Sequence, residues 1–324
     1  MNTTATLVPA ASLEIGQQKI AVSGASGLVG SALAEKLRMT HQVINVTRHS
    51  SSPLTDVEWD AERGLVSPAR LAGIDAFIHL AGENIATGRW TKRKKSRIRE
   101  SRVAGTRRIA ESLSRLESPP RVLICASAIG FYGDCADARL DESASAGHGF
   151  LAEVCQEWEA ASEPAAEAGI RVVNLRIGVV ISSDGGALPH MLTPFKLGVG
   201  GRIGTGKQFW SWVSIHDVVG AIDHCLVTPE MSGPVNCVSP GPVTNSEFTK
   251  TLGAVLSRPT ILPMPAFAAK IALGQMAEDL LLASTQVLPR RLQETGYTFH
   301  YPELGPALQV EINQQTHGSD REKS

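Results

Sequence analysis

Short apolar runs alternate with longer amphipathic segments through the first half of the chain. The apolar runs predict buried strands, and the segments between them predict helices. Strands separated by helices form a parallel sheet with right-handed crossovers. The predicted strands are 20–22, 42–47, 76–80, 122–127 and 171–176. The predicted helices of this half are 31–37, a long charged helix that reaches Leu113, and 156–168, which ends at Gly169.

The composition of the sequence changes after Gly178. Residues 184–209 are rich in glycine, and three prolines fall within 233–245. Helices are predicted at 246–257, capped by Asn245 or Ser246, and at 266–283, with an extended link at 259–265 between them. The second half therefore predicts a smaller lobe over the carboxyl ends of the strands, where open α/β sheets bind their ligands.

The expected fold is thus α/β, a Rossmann-type doubly wound parallel sheet with a smaller C-terminal substrate lobe. The predicted organisation is a flexible N-terminal extension (1–18), a dinucleotide-binding domain (19–183), a glycine-rich lobe region with segments returning to the core (184–245), a C-terminal segment (246–308) and a tail (309–324).

Composition excludes several classes of protein. The chain has 324 residues, and 31 Lys and Arg nearly balance 32 Asp and Glu, so no global polyanion-binding surface is implied. The basic run 92–97 is typical of a solvated helix face, and no nucleic-acid partner is expected. No apolar window reaches the length of a membrane span, and residues 1–18 lack the pattern of a secretory signal.

The cysteines and histidines favour a cytoplasmic protein without a metal. The five cysteines are odd in number and form no C-x-x-C pair, which is typical of reduced thiols. The nine histidines do not cluster at ligand spacing, so no metal site is expected. A homodimer is the default expectation for the oligomeric state.

A glycine-rich turn, Gly24-Ala-Ser-Gly-Leu-Val-Gly30, lies between the first strand and the first helix. In such a turn Gly24 permits the tight bend, Gly27 lets the backbone approach a pyrophosphate, and Gly30 lets the helix pack on the strand. The N–H groups at the helix start favour anionic phosphates, with hydroxyls available from neighbouring serines. The predicted phosphate contacts are Gly24, Ser26, Gly27, Leu28, Val29 and Gly30.

The end of the second strand favours NADP over NAD. NAD sites usually carry an acid there to bind the ribose 2′-hydroxyl, but no acid occurs between Lys36 and Asp56. Thr47 and Arg48 stand there instead, and a guanidinium suits a 2′-phosphate, with Thr47 as a hydroxyl donor. The alternative is that Arg48 is a solvated surface arginine.

The chain resembles the extended short-chain dehydrogenase/reductase superfamily over about residues 19–308. Besides the glycine turn, the resemblance rests on His79-Leu-Ala-Gly82, Arg102-Val-Ala-Gly-Thr106, Ala126-Ser127 and Tyr132-Gly133. More narrowly, the chain is similar to the YfcH-like, or SulA-type, epimerase family with a C-terminal domain of unknown function. The narrower match rests on Leu80-Ala-Gly-Glu-Asn-Ile85, Gly198-Val-Gly-Gly-Arg-Ile-Gly204, Trp210-Ser-Trp-Val-Ser-Ile-His-Asp217 and Pro242-Val-Thr-Asn-Ser-Glu-Phe248.

The resemblance assigns further residues to the cofactor. Leu80 and Ala81 are expected against the adenosine, and Val180 at a position that faces the nicotinamide. Arg102 stands where extended members usually have asparagine. Its charge would reach the diphosphate or, alternatively, pair with Glu83 or Glu100.

The usual catalytic pair of this superfamily, Tyr-x-x-x-Lys, occurs nowhere in the sequence. The equivalent helix begins near Phe150, and both Phe150/Val154 and Leu151/Cys155 are plausible positions for the missing pair. Ser127 matches the active-site serine of the superfamily, and Tyr132 is expected to face the substrate. Other candidate proton-transfer groups are Glu83, Glu153 and His216, although His216-Asp217 also resembles a helix start with Asp217 as its cap.

Three functions remain open from the sequence. The first is an NADP-dependent oxidoreductase or epimerase acting on a sugar nucleotide or a small carbonyl compound through Ser127 and a non-standard acid or base. The second is a non-catalytic NADPH-binding regulator or redox sensor. The third is a structural protein whose glycine turn binds nothing.

Overall fold

The structure is a computed structural model that describes residues 17–48, 56–60 and 64–321. The predicted N-terminal extension lies almost entirely outside the described residues. The strands are β1 Lys19–Ser23, β2 Gln42–Thr47, β3 Asp56–Asp60, β4 Gly64–Leu65, β5 Ala76–His79, β6 Val122–Ala128, β7 Arg139–Leu140, β8 Arg171–Ile177, β9 Val179–Ile181, β10 Phe209–Trp210, β11 Trp212–Ser214, β12 Gly233–Cys237, β13 Val243–Thr244 and β14 Gln286–Val287.

Helices surround these strands. They are α1 Leu28–Arg38, α2 Lys92–Ser114, α3 Phe150–Ala160, α4 Glu163–Glu167, α5 Leu188–Lys196, α6 Ile215–Val227, α7 Asn245–Leu256, α8 Ala266–Leu273, α9 Gln275–Ala277, α10 Arg290–Glu294 and α11 Leu304–Arg321. Eight strands form the central sheet in the order β12-β8-β6-β5-β1-β2-β3-β4, in which the pairs are parallel except for β3 with β4. The doubly wound α/β prediction is therefore confirmed.

Alternate residues of the central strands pack on opposite layers of helices, as the two-residue period of a strand requires. Ile20 and Val22 of β1 belong to a core that includes Leu33 of α1 and Ile222 of α6. Ala21, between them, belongs to a second core with helices α2 and α4. Because both faces are covered, the strands are nearly continuous apolar runs, and all five predicted strands are confirmed.

A smaller apolar cluster holds the C-terminal lobe together. Trp212 and Phe248 are almost fully buried at its centre, with side chains from α5, α7 and α11 around them. Two small two-stranded sheets, β10 with β13 and β9 with β11, border this cluster. The lobe therefore has its own apolar core beside the carboxyl end of the large sheet.

Two segments that were predicted as single helices are each broken into shorter helices in the structure. The predicted helix at 156–168 begins earlier and is two helices, α3 and α4, with Pro164 in the first turn of α4. The predicted helix at 266–283 breaks at Gly274, whose φ of +63° stops α8. Beyond Gly274 the chain forms α9 and then a π-helical turn at Glu278–Leu282.

Two predicted caps are also wrong. Thr244 caps α7, because its hydroxyl accepts from Glu247 N while the Glu247 side chain accepts from Thr244 N, a capping box. Ser214 caps α6, and it is the Asp217 backbone that donates to the Ser214 hydroxyl. The buried carboxylate of Asp217 accepts from the Ser214 hydroxyl at 2.7 Å and also from donors in the C-terminal segment.

Candidate functional site

The glycine turn after β1 is built so that two of its glycines cannot carry a side chain. Gly24 has φ of +76°, and a Cβ there would lie 2.8 Å from the backbone of Leu80 and Ala81. A Cβ on Gly30 would lie 2.0 Å from the Gly24 carbonyl oxygen. Glycine at these positions lets β1, the end of β5 and the start of α1 approach closely. The local geometry is therefore that of a backbone cradle.

The cradle leaves the N-terminus of α1 free to bind an anion. Gly27 precedes the helix in an extended conformation and, having no side chain, offers no cap. The first helical hydrogen bond runs from Ser31 N to Gly27 O at 2.8 Å, so the N–H groups of Leu28, Val29 and Gly30 precede it. Ser26 and Gly27 are exposed. Backbone donors, the helix dipole and open space fit a pyrophosphate at this point.

Thr47 and Arg48 lie beside the cradle. Strands β1 and β2 are parallel with Ser23 opposite Val46, so the next residues along each strand, Gly24 and Thr47, follow side by side. Arg48 is exposed where β2 ends. The structure thus places the guanidinium-bearing residue at the sheet edge that also carries the glycine turn, as a site for a phosphorylated ribose requires.

The end of β5 forms the other wall of the cradle. Leu80 donates its backbone N–H to Ser23 O, and both Leu80 and Ala81 are half-buried. Val180, which is also assigned to the cofactor, is half-buried in β9, where it pairs with Val213 of β11.

The Arg102 guanidinium forms no ion pair with the carboxylate of Glu83 or Glu100 among the described residues, and a contact with the diphosphate stays a prediction. Its Nη1 donates to the backbone oxygen of Glu83 at 3.0 Å, and its guanidinium lies 4.9 Å from the Trp158 ring. Burial lowers its pKa. The guanidinium also lies against Gly82, where a Cβ would be 3.5 Å from its central carbon. Arg102 therefore holds the loop after β5 in place.

One site residue that the sequence reasoning missed is His79, the last residue of β5. Its Nδ1 lies 2.6 Å from the Ser23 hydroxyl, and the histidine is 1% exposed. Its Nε2 has no hydrogen-bond partner among the described residues. Burial lowers its pKa to about 4, so the ring is neutral near pH 7. The sequence feature that could have identified His79 is its position at the end of a predicted strand, next to Leu80 and Ala81.

Ser127 and Tyr132 belong to one buried polar network. The Ser127 hydroxyl donates to Glu159 Oε1 at 2.7 Å, and Glu159 forms an ion pair with Arg176. Arg176 Nη1 donates in turn to the Tyr132 hydroxyl at 2.9 Å, and that hydroxyl donates to Asn236 Oδ1 at 2.8 Å. The network ties β6, α3, β8 and β12 together at their carboxyl ends.

The burial of Tyr132 corrects the expectation that it faces a substrate. Its side chain is fully buried, and burial raises the pKa of its hydroxyl. Ser127 is 3% exposed, and its proton is directed at Glu159. A substrate could therefore contact Ser127 only through the small part of this side chain that is exposed, because the Ser127 hydroxyl is already bonded to Glu159.

Leu151 and Cys155 are one of the two positions considered for the missing Tyr-x-x-x-Lys pair, and Phe150 and Val154 stay open as the other. Leu151 packs on Gly130, 3.2 Å from where a Cβ of that glycine would stand, so this side chain faces the turn after β6. Burial raises the pKa of Cys155 to about 12, so its thiol stays protonated.

The remaining candidate acids and bases have partners of their own. Glu83 accepts from Lys94 Nζ at 2.8 Å, and that bond lowers its pKa. Lys94 is only 5% exposed, so the basic run at the start of α2 is not solvated throughout. Glu153 is bonded to Arg99 at the surface. His216 Nε2 lies 3.6 Å from the Glu311 carboxylate.

A parallel doubly wound sheet whose first turn is a glycine cradle, with a lobe beside the strand ends, defines a dinucleotide-binding α/β protein. The chain belongs to the NAD dependent epimerase/dehydratase family, whose model matches residues 20–237. A domain of unknown function, DUF1731, matches residues 264–310. The predicted membership of the extended short-chain dehydrogenase/reductases is thereby confirmed.

Curated relatives match nearly the whole chain. Epimerase family protein Mb2239 of Mycobacterium bovis is 40% identical over 290 residues, which is 89% of this chain and 96% of the relative. Epimerase family protein SDR39U1 of Homo sapiens is 33% identical over 293 residues, covering 90% of this chain and 98% of the relative.

Solved structures agree with the fold. The crystal structure of the human SDR39U1 protein (isoform 2) with NADPH has a TM-score of 0.84 at 33% identity, and the match covers 91% of this chain and 99% of that one. A nucleoside-diphosphate sugar epimerase from Corynebacterium glutamicum has a TM-score of 0.76 at 35% identity, covering 93% of this chain and 61% of that one. No helix within the described ranges is long and apolar enough to cross a membrane.

Proposed function

We propose that this protein binds NADPH and acts as an oxidoreductase or epimerase on a sugar nucleotide or a small carbonyl compound. The observation that carries the proposal is the uncapped start of α1 between Gly24 and Gly30, with Arg48 exposed at the adjacent strand end. A relative of similar fold was crystallised with NADPH, which supports the choice of the phosphorylated dinucleotide.

The residues assigned to the cofactor divide into three groups. The glycine turn from Gly24 to Gly30, with Ser26, holds the pyrophosphate. Thr47 and Arg48 hold the 2′-phosphate, because a guanidinium makes charge-assisted hydrogen bonds with phosphate. Leu80, Ala81 and Val180 supply apolar surface, and Arg102 fixes the loop beside them.

When bound, NADPH supplies a hydride to a carbonyl carbon. The chain itself must orient the carbonyl and supply a proton without a tyrosine–lysine pair, since no Tyr-x-x-x-Lys occurs in the sequence. Ser127 is the group we assign to orientation, because it lies at the carboxyl end of β6. Tyr132 stays a candidate only if the network around Arg176 opens, because its hydroxyl is buried among partners.

The cofactor is tested by titrating NADPH and NADH into the protein and into Arg48→Ala. We expect NADPH to bind more tightly than NADH, and Arg48→Ala to weaken NADPH roughly tenfold or more while leaving NADH unchanged, because a charged hydrogen bond contributes roughly 1.5–3 kcal/mol. The matched control is Arg115→Ala, an exposed arginine at the end of α2. Equal loss for both cofactors, or none, would contradict the assignment.

Catalysis is tested separately with NADPH and a panel of sugar nucleotides and small carbonyl compounds. NADPH oxidation or formation of an epimer is the expected result, with a lower kcat in Ser127→Ala and no change in Ser143→Ala, an exposed serine. Tight NADPH binding without turnover of any panel member would instead indicate a non-catalytic regulator. We place this activity in the cytoplasm, since the five cysteines are free thiols.

A further inference from the structure

A cavity of about 610 Å³ lies on the outer layer of helices, between α1, α6 and the C-terminal helix α11. Its wall runs along α1 from Leu28 to Met39, and it shares only Leu28 with the residues assigned to the dinucleotide. Its volume falls within the range of sites that take small molecules. The groups that matter to its chemistry are Glu35, Lys36, Asp184, His216, Tyr301 and Glu311.

Glu311 is the unusual member of this lining. It is 1% exposed, and its Oε2 accepts a hydrogen bond from Ser183 N at 2.7 Å. Its other oxygen, Oε1, is buried and has no hydrogen-bond partner in the described part of the chain. His216 Nε2 lies 3.6 Å from this oxygen, too far for a hydrogen bond. An ionised carboxylate without a partner is costly to bury, so this oxygen calls for a donor.

The charges around Glu311 do not supply that donor. The carboxylates of Glu35 and Asp184 line the same cavity. Among the lining residues that the structure describes, the one ammonium, on Lys36, is already paired with Asp223 at 2.8 Å. The cavity is therefore acidic, and the buried Glu311 Oε1 is left without a partner in this part of the chain.

The rest of the wall fits an organic cation with an aliphatic part. Leu28, Ile215 and Val219 give the cavity apolar surface. The rings of His216 and Tyr301 lie 5.5 Å apart, tilted by 43°. Aromatic faces attract ammonium and guanidinium groups, and apolar walls favour an alkyl chain over a hydrated metal ion.

We propose that this cavity is a binding site for a small alkylammonium ligand, with Glu311 as its counter-ion. The ammonium donates to Glu311 Oε1, and the alkyl chain lies against the apolar wall of α1 and α6. This site shares only Leu28 with the residues assigned to the dinucleotide, and its test does not depend on what the cradle binds.

The test uses n-butylammonium as the probe and n-butanol as its neutral match, with binding followed by ligand-observed NMR on the full chain. We expect the native protein to bind the ammonium and to bind butanol far more weakly. Glu311→Gln should lower the association constant for the ammonium about tenfold or more, because it removes the charge and keeps an oxygen for Ser183 N.

The matched control is Glu303→Gln, an exposed carboxylate just before α11. Should Glu311→Gln fail to fold, Gln314→Trp provides the second variant, because Gln314 is exposed at the cavity and a tryptophan there obstructs it. The proposal is overturned if the native protein does not bind the ammonium, if butanol binds as well, or if Glu303→Gln loses as much affinity as Glu311→Gln. Unchanged binding by Gln314→Trp would also overturn it.

Discussion

Arg176 and Glu159 form a two-point ion pair, in which Nε lies 2.7 Å from Oε1 and Nη2 lies 2.8 Å from Oε2. The two side chains are 4% and 12% exposed, so each charge depends on the other. The pair joins α3 to β8 directly beneath Ser127.

Glu159→Gln should therefore destabilise the fold by about 3–5 kcal/mol, because it leaves the Arg176 charge buried without its counter-ion. Urea unfolding measures this loss. Glu111→Gln is the control, since Glu111 pairs with Arg107 on the exposed face of α2, and it should change the free energy of unfolding by less than about 1 kcal/mol. Equal effects of the two variants would mean that the buried pair contributes no more than a surface pair.

Gly30→Ala should weaken both the fold and cofactor binding, because a Cβ there would stand 2.0 Å from the Gly24 carbonyl oxygen. The cradle must open to admit it, so the expected results are a lower Tm and a large loss of NADPH affinity. Gly305→Ala in α11 is the control: its Cβ would meet nothing closer than 3.9 Å, and alanine favours a helix. A Gly30→Ala protein with native Tm and affinity would contradict the close approach.

The free energy of unfolding should fall as the pH drops below 6.5, the pKa of an ordinary histidine, because of His79. Burial lowers the pKa of His79 from 6.5 to about 4. The unfolded chain then takes up a proton at a higher pH than the folded chain does, so stability is full above pH 6.5 and is lost towards pH 4. The loss from this group is about 2 kcal/mol between roughly pH 7 and pH 5.

Urea unfolding at the two pH values measures this loss, and the informative variant is His79→Asn. The variant is expected to be less stable throughout but to show a smaller drop between the two pH values. His148→Asn, at an exposed histidine, should keep the native drop. If the drop persists undiminished in His79→Asn, another group is responsible for it.

Tyr132→Phe should act on stability rather than on turnover. Removing the hydroxyl leaves Asn236 Oδ1 and Arg176 Nη1 without a partner, at an expected cost of about 1–3 kcal/mol. NADPH affinity should not change. A fall in kcat with native stability would instead return Tyr132 to the catalytic groups. Tyr301→Phe, at a half-buried tyrosine, serves as the comparison.

The sheet and the cradle could be predicted because their signals are local. The central strands are largely apolar, since helices cover both faces of the sheet, and the glycines of the turn are close neighbours in sequence. Arg48 could likewise be predicted, because the carboxyl ends of neighbouring parallel strands lie side by side, which brings the end of β2 next to the glycine turn after β1.

The rest of the site could not be predicted, because it depends on partners far apart in the chain. Ser127 meets Glu159 across 32 positions, and Tyr132 meets Asn236 across 104. No periodicity marks such pairs, so the sequence predicts that Tyr132 faces the substrate, whereas its hydroxyl is bonded within a buried network. The break at Gly274 was missed for another reason: the apolar pattern continues through it, although the backbone does not.

Partners that lie far apart in the sequence have a consequence for chain synthesis, as Asp217 shows. Its buried carboxylate accepts from Tyr297 Oη, His300 N and Tyr301 N, which follow it by 80, 83 and 84 positions. Until those residues leave the ribosome, helix α6 can dock on the sheet only by burying a charge that lacks these partners. We therefore expect a chain truncated before residue 297 to keep this carboxylate buried without three of its donors and to unfold more readily than the full chain.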